Sequence, residues 1–309
     1  MIPLIIIQGA TGSGKSQISL ELSNYFDTEI VSADSRQVYR YMDIGTAKVS
    51  KEEQKVIKHH LIDIIDPSER YSAGTFVKDV ERAIESIIQR GKVPIICGGT
   101  GMYIKALTEG IFEHEPIPNE IKAELQELLN EKGLEYLYNL LYQVDEESAA
   151  NIYPQDKQRI LRALEVYKAT GRSIRELWSE QGAKEKYQVF NIWINPSREE
   201  LYRRINKRMD RMVEMGLIDE INGLLEMGYN FRDYGLNSVG YKEYAPYFAG
   251  ISPLYDCIEL AKQHSRNYAK RQVTWYKKVN FNFAFFENSI NLSIAKENIE
   301  CFLQQNFNK

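Results

Sequence analysis

The sequence is poor in the features that mark membrane, secreted and zinc-binding proteins. It has only three cysteines in 309 residues, and they lie too far apart to suggest a disulfide framework. No apolar run approaches the roughly 20 residues that a membrane span needs. The four histidines have no zinc-ligand spacing with the cysteines. These absences predict a cytoplasmic protein with reduced cysteines, no membrane partner and no zinc.

The most informative feature present is the segment 9–16. Its letters, GATGSGKS, match G-x-x-x-x-G-K-[ST], the phosphate-binding P-loop. A short apolar run precedes it and helical spacing follows it, so it should join a buried strand to a helix. Lys15 is predicted to contact terminal phosphates and Ser16 to ligate Mg²⁺. The predicted phosphate-binding residues are Gly9, Ala10, Thr11, Gly12, Ser13, Gly14, Lys15 and Ser16.

Short apolar runs alternate with helical patterns along most of the chain. The strand candidates are residues 4–7, 29–33, 93–97, 189–195 and 281–286. This alternation predicts an α/β fold, a P-loop NTPase-like core with a largely parallel sheet flanked by helices. Residues 116–186 show helical spacing without a clear strand, which predicts an inserted all-helical domain. We therefore expect residues 1–115 and 187–309 to form the catalytic core.

Two further loops follow predicted strands, and ligands of open α/β sheets bind at the carboxyl ends of strands. Asp34 follows the second strand, where it could help to bind Mg²⁺, act as a general base or cap a turn. Gly98-Gly99-Thr100-Gly101 stands where a typical P-loop NTPase has a metal-holding Asp. The departure disfavours an ordinary ATPase and favours a diphosphate that is not part of a nucleotide. The glycines would admit something bulky or form a second anion nest.

Basic residues are concentrated in two segments although the net charge is −4. Residues 262–278 contain six basic residues and no acidic one, with Tyr268, Trp275 and Tyr276 interleaved. Aromatic side chains among cations can stack on unpaired bases. A second basic cluster, on a predicted helix, suits phosphate contacts, because its members at 204, 207, 208 and 211 share one face. It consists of Arg203, Arg204, Lys207, Arg208 and Arg211. The two clusters predict RNA or phosphate binding, with solvated helix faces as the alternative.

Taken together, these motifs resemble those of the tRNA dimethylallyltransferases, also called tRNA isopentenyltransferases. The resemblance covers most of the chain, and the order and spacing of the motifs make it specific. The P-loop departs from the family pattern at Ala10 and Gly12, which replace Pro and Ala but stay small. The motifs are GATGSGKS (9–16), DSRQVY (34–39), DIGTAK (43–48), HHLID (59–63), GGTG (98–101), RILRALEV (159–166), VGYKE (239–243) and KRQVTW (270–275).

The resemblance implies transfer of a dimethylallyl group from dimethylallyl diphosphate to N6 of the adenine that follows the anticodon in tRNA. It implies that the P-loop holds the diphosphate, with Mg²⁺ on Ser16 and Asp34. Asp34 would be the general base, and Lys15, Thr100 and Arg208 the other catalytic residues. The tRNA partner would bind through its anticodon stem-loop, and we expect the protein to be a monomer.

The resemblance also implies a set of tRNA-contacting residues, among which Gln37 and Thr100 would touch the target nucleotide. The set comprises Asp34, Ser35, Arg36, Gln37, Thr100, Gln158, Arg159, Ile160, Leu161, Arg162, Asn237, Ser238, Val239, Gly240, Tyr241, Lys242, Lys270, Arg271, Gln272, Val273, Thr274, Trp275, Tyr276 and Lys277. Two other functions remain open: an ATP-binding small-molecule or nucleotide kinase, and a non-catalytic RNA-binding P-loop protein. The Gly98-Gly99 pair disfavours the first, and intact Lys15 and Asp34 disfavour the second.

Overall fold

A single six-stranded parallel sheet organises most of the chain. The computed structural model describes residues 1–110, 117–181, 186–286 and 292–307. The strands are β1 (Ile2–Gly9), β2 (Thr28–Ser32), β3 (His59–His60), β4 (Val93–Gly98), β5 (Tyr187–Asn195) and β6 (Phe283–Phe286). Their order is β3-β2-β4-β1-β5-β6, and every neighbouring pair is parallel. The predicted α/β fold with a parallel sheet is therefore confirmed.

The helices of the described chain occupy most of the remaining sequence. They are α1 (Lys15–Ser23), α2 (Lys51–Val56), α3 (Ala73–Gln89), α4 (Gly101–Glu109), α5 (Asn119–Val144), α6 (Glu146–Ala150), α7 (Lys157–Thr170), α8 (Ile174–Gln181), α9 (Arg198–Glu214), α10 (Leu217–Glu226), α11 (Ala245–Phe248), α12 (Leu254–Tyr276) and α13 (Leu292–Phe307). A 3₁₀ turn spans Lys242–Tyr244. None of these described helices is long and apolar enough to cross a membrane.

Helices cover both faces of the sheet, which explains why the central strands are continuous apolar runs. Side chains of β1 alternate between the faces, as the pleat requires. Leu4 and Ile6 pack with α3 and α4, whereas Ile5 and Ile7 pack with α1 and α13. The edge strand β3 contains only two polar residues, so the apolar pattern of the sequence does not reveal it.

A third cluster packs α9, α10 and α12 against the loop that follows β2. Val38, Met42, Tyr241 and Tyr244 are fully or almost fully buried in it. The cluster fixes the loop after β2, which carries Asp34, against the C-terminal helices. The basic segment of the sequence is thereby attached to the carboxyl edge of the sheet.

The chain divides into two compact units, one made of residues 1–108 and 185–309 and the other of residues 109–184. Within its described part, the second unit contains α5 to α8 and no strand. Leu125, Leu137 and Leu164 belong to its separate core. Pro116, where the sequence analysis starts the insertion, lies outside the described residues.

Candidate active site

The P-loop connects the end of β1 to the first turn of α1. Gly12 and Gly14 have φ angles of 80° and 97°, in the left-handed region that side-chain-bearing residues rarely enter. Gly14 is the N-cap of α1, and no side chain caps it. The first N–H groups of α1 are therefore open to an anion, and the positive end of the helix dipole adds to the attraction.

Two cations flank this loop. Lys15 begins α1, and Arg208 reaches over from α9, where its Nη2 donates a hydrogen bond to Oγ1 of Thr11. Burial lowers the pKa of Lys15 and of Arg208, whereas the negative charge of Asp34 raises both. Among the described residues no hydrogen bond or ion pair holds the Lys15 ammonium. A diphosphate on this loop would therefore gain two cations, one of which has no competing partner.

Helix α9 presents a basic groove beside the P-loop. Its apolar side packs through Leu201 on Ala10, so its charged side is turned outward. The guanidinium of Arg204 donates to the Ser13 carbonyl at 3.2 Å and is also paired with Glu200. Five side chains line a groove of about 270 Å³: Arg203, Arg204, Lys207, Arg208 and Arg211. They share one face of α9, as their spacing in the sequence predicts.

Asp34 lies just past the end of β2, at the carboxyl edge of the sheet. Its Oδ1 accepts a hydrogen bond from the backbone N–H of Arg36 at 2.8 Å, so it does cap the following turn. No hydrogen bond to its Oδ2 occurs within the described residues. The turn thus fixes the carboxylate and leaves one oxygen able to accept a proton or to bind a cation.

Thr100 ties the end of β4 to the Asp34 loop. Its backbone N–H donates to the Ala33 carbonyl at 3.2 Å, and its Oγ1 accepts from the Ser35 N–H at 3.1 Å. The preceding glycines are required by contacts within the chain itself. A Cβ on Gly98 would lie 2.1 Å from the Ala33 oxygen, and one on Gly99 would lie 2.7 Å from the Gln272 amide nitrogen. Residues 34 and 100 are therefore held side by side at one edge.

Comparison with known proteins decides the family. A family model described as IPP transferase matches residues 37–279. The chain belongs to the IPP transferase family. The tRNA dimethylallyltransferase of Thermotoga maritima is 43% identical over 309 residues, which cover 98% of this chain and 99% of that protein. The resemblance found in the sequence is therefore confirmed.

Solved structures agree with this assignment. The crystal structure of the tRNA delta(2)-isopentenylpyrophosphate transferase of Staphylococcus epidermidis is 39% identical, has a TM-score of 0.71, and is matched over 99% of this chain and 100% of that chain. Crystal structures of a eukaryotic dimethylallyltransferase acting on tRNA provide a second match, with 33% identity and a TM-score of 0.78. That match covers 89% of this chain and 70% of the other.

In this IPP transferase the side chain of Gln37 is fixed at both ends of its amide. Its Oε1 accepts from the Ser32 hydroxyl at 2.9 Å, and its Nε2 donates to the Ala47 carbonyl at 3.2 Å. The loop that supplies Ala47 is itself held by Glu220 of α10. That carboxylate accepts three successive backbone N–H groups, of residues 43, 44 and 45, and the hydroxyl of Tyr241 at 2.6 Å. Glu220 is absent from the predicted site residues, because no local motif marks it.

Helix α12 has one face toward the site and one toward solvent. Lys270, Arg271 and Thr274 are exposed, whereas Gln272 and Tyr276 are buried. Both burial and the negative charge of Asp34 raise the pKa of Tyr268, which lies one helical turn before Gln272. The basic segment therefore contributes exposed cations on its solvent face and buried side chains that line the site.

The structure narrows the tRNA-contacting set that the resemblance implied. Some of its members are buried, because the motifs that contain them also supply the core. The buried positions are Ile160, Ser238, Gly240, Tyr241, Gln272 and Tyr276. These side chains have little surface to offer to RNA, and which members of the set contact tRNA stays a prediction. The exposed members are Gln158, Arg159, Arg162, Asn237, Lys242, Lys270, Arg271, Thr274 and Lys277.

Proposed function

We propose that this IPP transferase moves a dimethylallyl group from dimethylallyl diphosphate to N6 of the adenine just 3′ of the anticodon in tRNA. The products are N6-isopentenyladenosine and diphosphate. One observation carries the proposal: a single sheet edge has a P-loop flanked by Lys15 and Arg208 beside an Asp34 carboxylate with a free oxygen. The names of the relatives supply the substrate class.

The P-loop side of the site binds the leaving diphosphate. As the bond between the allyl carbon and oxygen breaks, negative charge grows on the phosphate oxygens. The N–H groups at the start of α1, Lys15 and Arg208 are already in place around that position. Fixed donors and cations stabilise developing charge without reorganising during the reaction.

Mg²⁺ fits the same side of the site. This ion takes oxygen ligands and keeps several waters, usually with one or two protein groups and the substrate phosphates. The exposed hydroxyl of Ser16 in the first turn of α1 would hold it directly, and the Asp34 carboxylate would contact one of its waters. The ion would supply charge neutralisation to the departing diphosphate.

The Asp34 side of the site activates the acceptor. The adenine amine is a poor nucleophile because its lone pair is delocalised into the ring. Oδ2 of Asp34 accepts the amine proton as the C–N bond forms, which typically contributes about 10²–10⁴-fold. Thr100 is bonded to the loop that carries Asp34, Gln37 is fixed on that same loop, and we expect both to contact the target nucleotide. A base in a single-stranded loop can enter such a pocket at modest unstacking cost.

The exposed cations bind the RNA backbone. Lys270 and Arg271 lie on the solvent face of α12, whose other face borders the site. In the second unit, the exposed side chains of Gln158, Arg159 and Arg162 on α7 are the expected contacts. Backbone contacts of this kind supply affinity and orientation, while the pocket selects the base.

The diagnostic experiment measures diphosphate release from dimethylallyl diphosphate in the presence of Mg²⁺ and unmodified tRNA. We expect release to require the tRNA and to match the number of allyl groups transferred. Lys15→Ala should lower kcat/KM by about 10–100-fold, through loss of a charge-assisted contact. ATP in place of the allyl donor should yield no product. Phosphoryl transfer from ATP, with no tRNA-dependent diphosphate release, would instead establish a kinase.

A further inference from the structure

The amide of Gln272 bridges the P-loop and the loop after β4. Its Oε1 accepts a hydrogen bond from the backbone N–H of Thr11 at 2.8 Å. Its Nε2 donates to the carbonyl of Gly99 at 2.7 Å. The side chain is 8% exposed, so water competes little for either bond. One residue of α12 therefore holds two loops that come from different strands.

The surroundings leave this amide little freedom to move. The hydroxyl of Tyr276, one helical turn further along α12, donates to the same Gly99 carbonyl at 3.0 Å. A Cβ on Gly99 would lie 2.7 Å from Nε2 of Gln272 and 3.5 Å from the Lys15 ammonium. The glycine thus allows the amide, the P-loop and the cation to approach one another closely.

The two bridged loops carry the two halves of the chemistry. Thr11 belongs to the diphosphate loop and accepts from Arg208 through its hydroxyl. Gly99 precedes Thr100, which holds the Ser35 N–H beside Asp34. Strands β1 and β4 bring these loops to the same edge, but sheet pairing ends at Gln8 and Gly98. Beyond that point Gln272 connects them directly.

We propose that Gln272 is a positioning residue for the transfer step. By fixing the P-loop against the loop 98–100, it sets the distance and angle between the allyl carbon and the adenine amine. The inference rests on the proposed function, and it concerns alignment rather than binding. A misplacement of about 1 Å in such a site costs on the order of 10²-fold in rate.

Two variants separate alignment from simple support of the fold. Gln272→Met keeps the volume and removes both hydrogen bonds. Gln272→Glu restores both in its neutral form, which accepts from Thr11 and donates to Gly99, but loses the second when it ionises. Burial raises the pKa of such a carboxyl and the nearby Lys15 ammonium lowers it. Its activity relative to wild type should therefore be high at low pH and fall as pH rises.

The measurement is the single-turnover rate of allyl transfer to an anticodon stem-loop across pH, with the affinity of each substrate. We expect Gln272→Met to be slower by about 10–100-fold at every pH, with both affinities within a few-fold of wild type. Gln272→Glu should approach the wild-type rate at the acidic end only. If Gln272→Met does not fold, this pH profile alone decides. A flat ratio for Gln272→Glu, or losses confined to affinity, would overturn the proposal.

Tyr276→Phe is the matched comparison. It removes a hydrogen bond to the same Gly99 carbonyl but leaves the bond to the P-loop in place. Its loss in rate should be smaller than that of Gln272→Met. Its activity relative to wild type should not show the pH dependence expected for Gln272→Glu. Equal losses would mean that the helix only supports Gly99. If wild type itself transfers no allyl group, the proposed function fails; an active wild type with normal Gln272 variants refutes only the positioning role.

Discussion

Asp34 illustrates how a single residue is prepared for its task. One oxygen is occupied by the Arg36 N–H, which holds the carboxylate in one orientation, and the other has no partner within the described residues. Its negative charge opposes the effect of burial on Lys15 and Arg208, raising the pKa of both. Burial still outweighs that charge, so the pKa of each cation is lower than its ordinary value. A diphosphate on the P-loop would face these two basic side chains, and an amine would meet a free carboxylate oxygen.

Asp34→Asn should separate binding from chemistry. The amide keeps the size and the turn, but it cannot accept the amine proton, so kcat should fall by about 10²–10⁴-fold while both substrate affinities change little. Single-turnover kinetics together with binding of each substrate tests this. If Asp34 mainly organised Mg²⁺, the loss would appear in diphosphate affinity and would be partly recovered at high Mg²⁺. The control is Asp27→Asn, which changes an exposed carboxylate just before the first residue of β2, at the end of the strand opposite Asp34.

At the scale of elements, α12 shows that a run of basic residues alone does not reveal which side chains face the site. The cluster of basic and aromatic residues in the sequence correctly indicates an exposed basic face at Lys270 and Arg271. It does not indicate that Gln272, the residue directly after Arg271, faces inward and contacts Thr11 of the P-loop. Helical periodicity assigns the inner face, but the partner is 261 residues away in the chain.

Replacing Lys270 and Arg271 together with Ala should weaken tRNA binding and flatten its salt dependence. Removing one cation from a phosphate should lower the slope of log affinity against log salt by about 0.7–0.9, because fewer counterions are released. Filter binding across a salt series measures both quantities. Lys296→Ala on α13, which packs with α1 against the sheet, is the control. Unchanged slope and affinity would mean that the two cations are only solvated.

A buried ion network joins β2, β3 and the end of α3. Burial raises the pKa of Glu29, but hydrogen bonds from Arg90 and His60 outweigh this and lower it from 4.5 to about 2. Because the pKa is lower in the folded state, the stabilisation is complete above the ordinary value of 4.5 and is lost as pH falls toward 2. The network therefore stabilises the edge of the sheet at neutral pH.

Arg90→Met should lower the free energy of unfolding at neutral pH, because it removes two hydrogen bonds to the Glu29 carboxylate. The difference from wild type should shrink at about pH 3, below the ordinary pKa of 4.5, because Glu29 takes up a proton there in the unfolded chain. Urea unfolding at the two pH values measures it. Arg82→Met, which breaks an exposed pair with Asp79 on α3, should change little at either pH. A pH-independent difference would contradict the assigned role of Glu29.

At the scale of the whole molecule, the sequence predicts those strands and turns that local residue patterns determine. The apolar runs predict β1, β2, β4, β5 and β6, and the P-loop letters predict the turn between β1 and α1. The order of strands is not local, and neither are the contacts of Glu220 with the loop at 43–45 or of Gln272 with the P-loop. Those contacts depend on how distant helices pack, which no spacing rule contains.

The carboxyl edge of the sheet should transfer an allyl group to tRNA, and this is the proposal on which the others depend. The most direct test incubates unmodified tRNA with the protein, Mg²⁺ and dimethylallyl diphosphate, digests the RNA and weighs its nucleosides. We expect one new nucleoside, heavier than adenosine by five carbons and eight hydrogens, located just 3′ of the anticodon and absent without the diphosphate. Unchanged nucleosides from a folded protein that binds both substrates would contradict the proposed function.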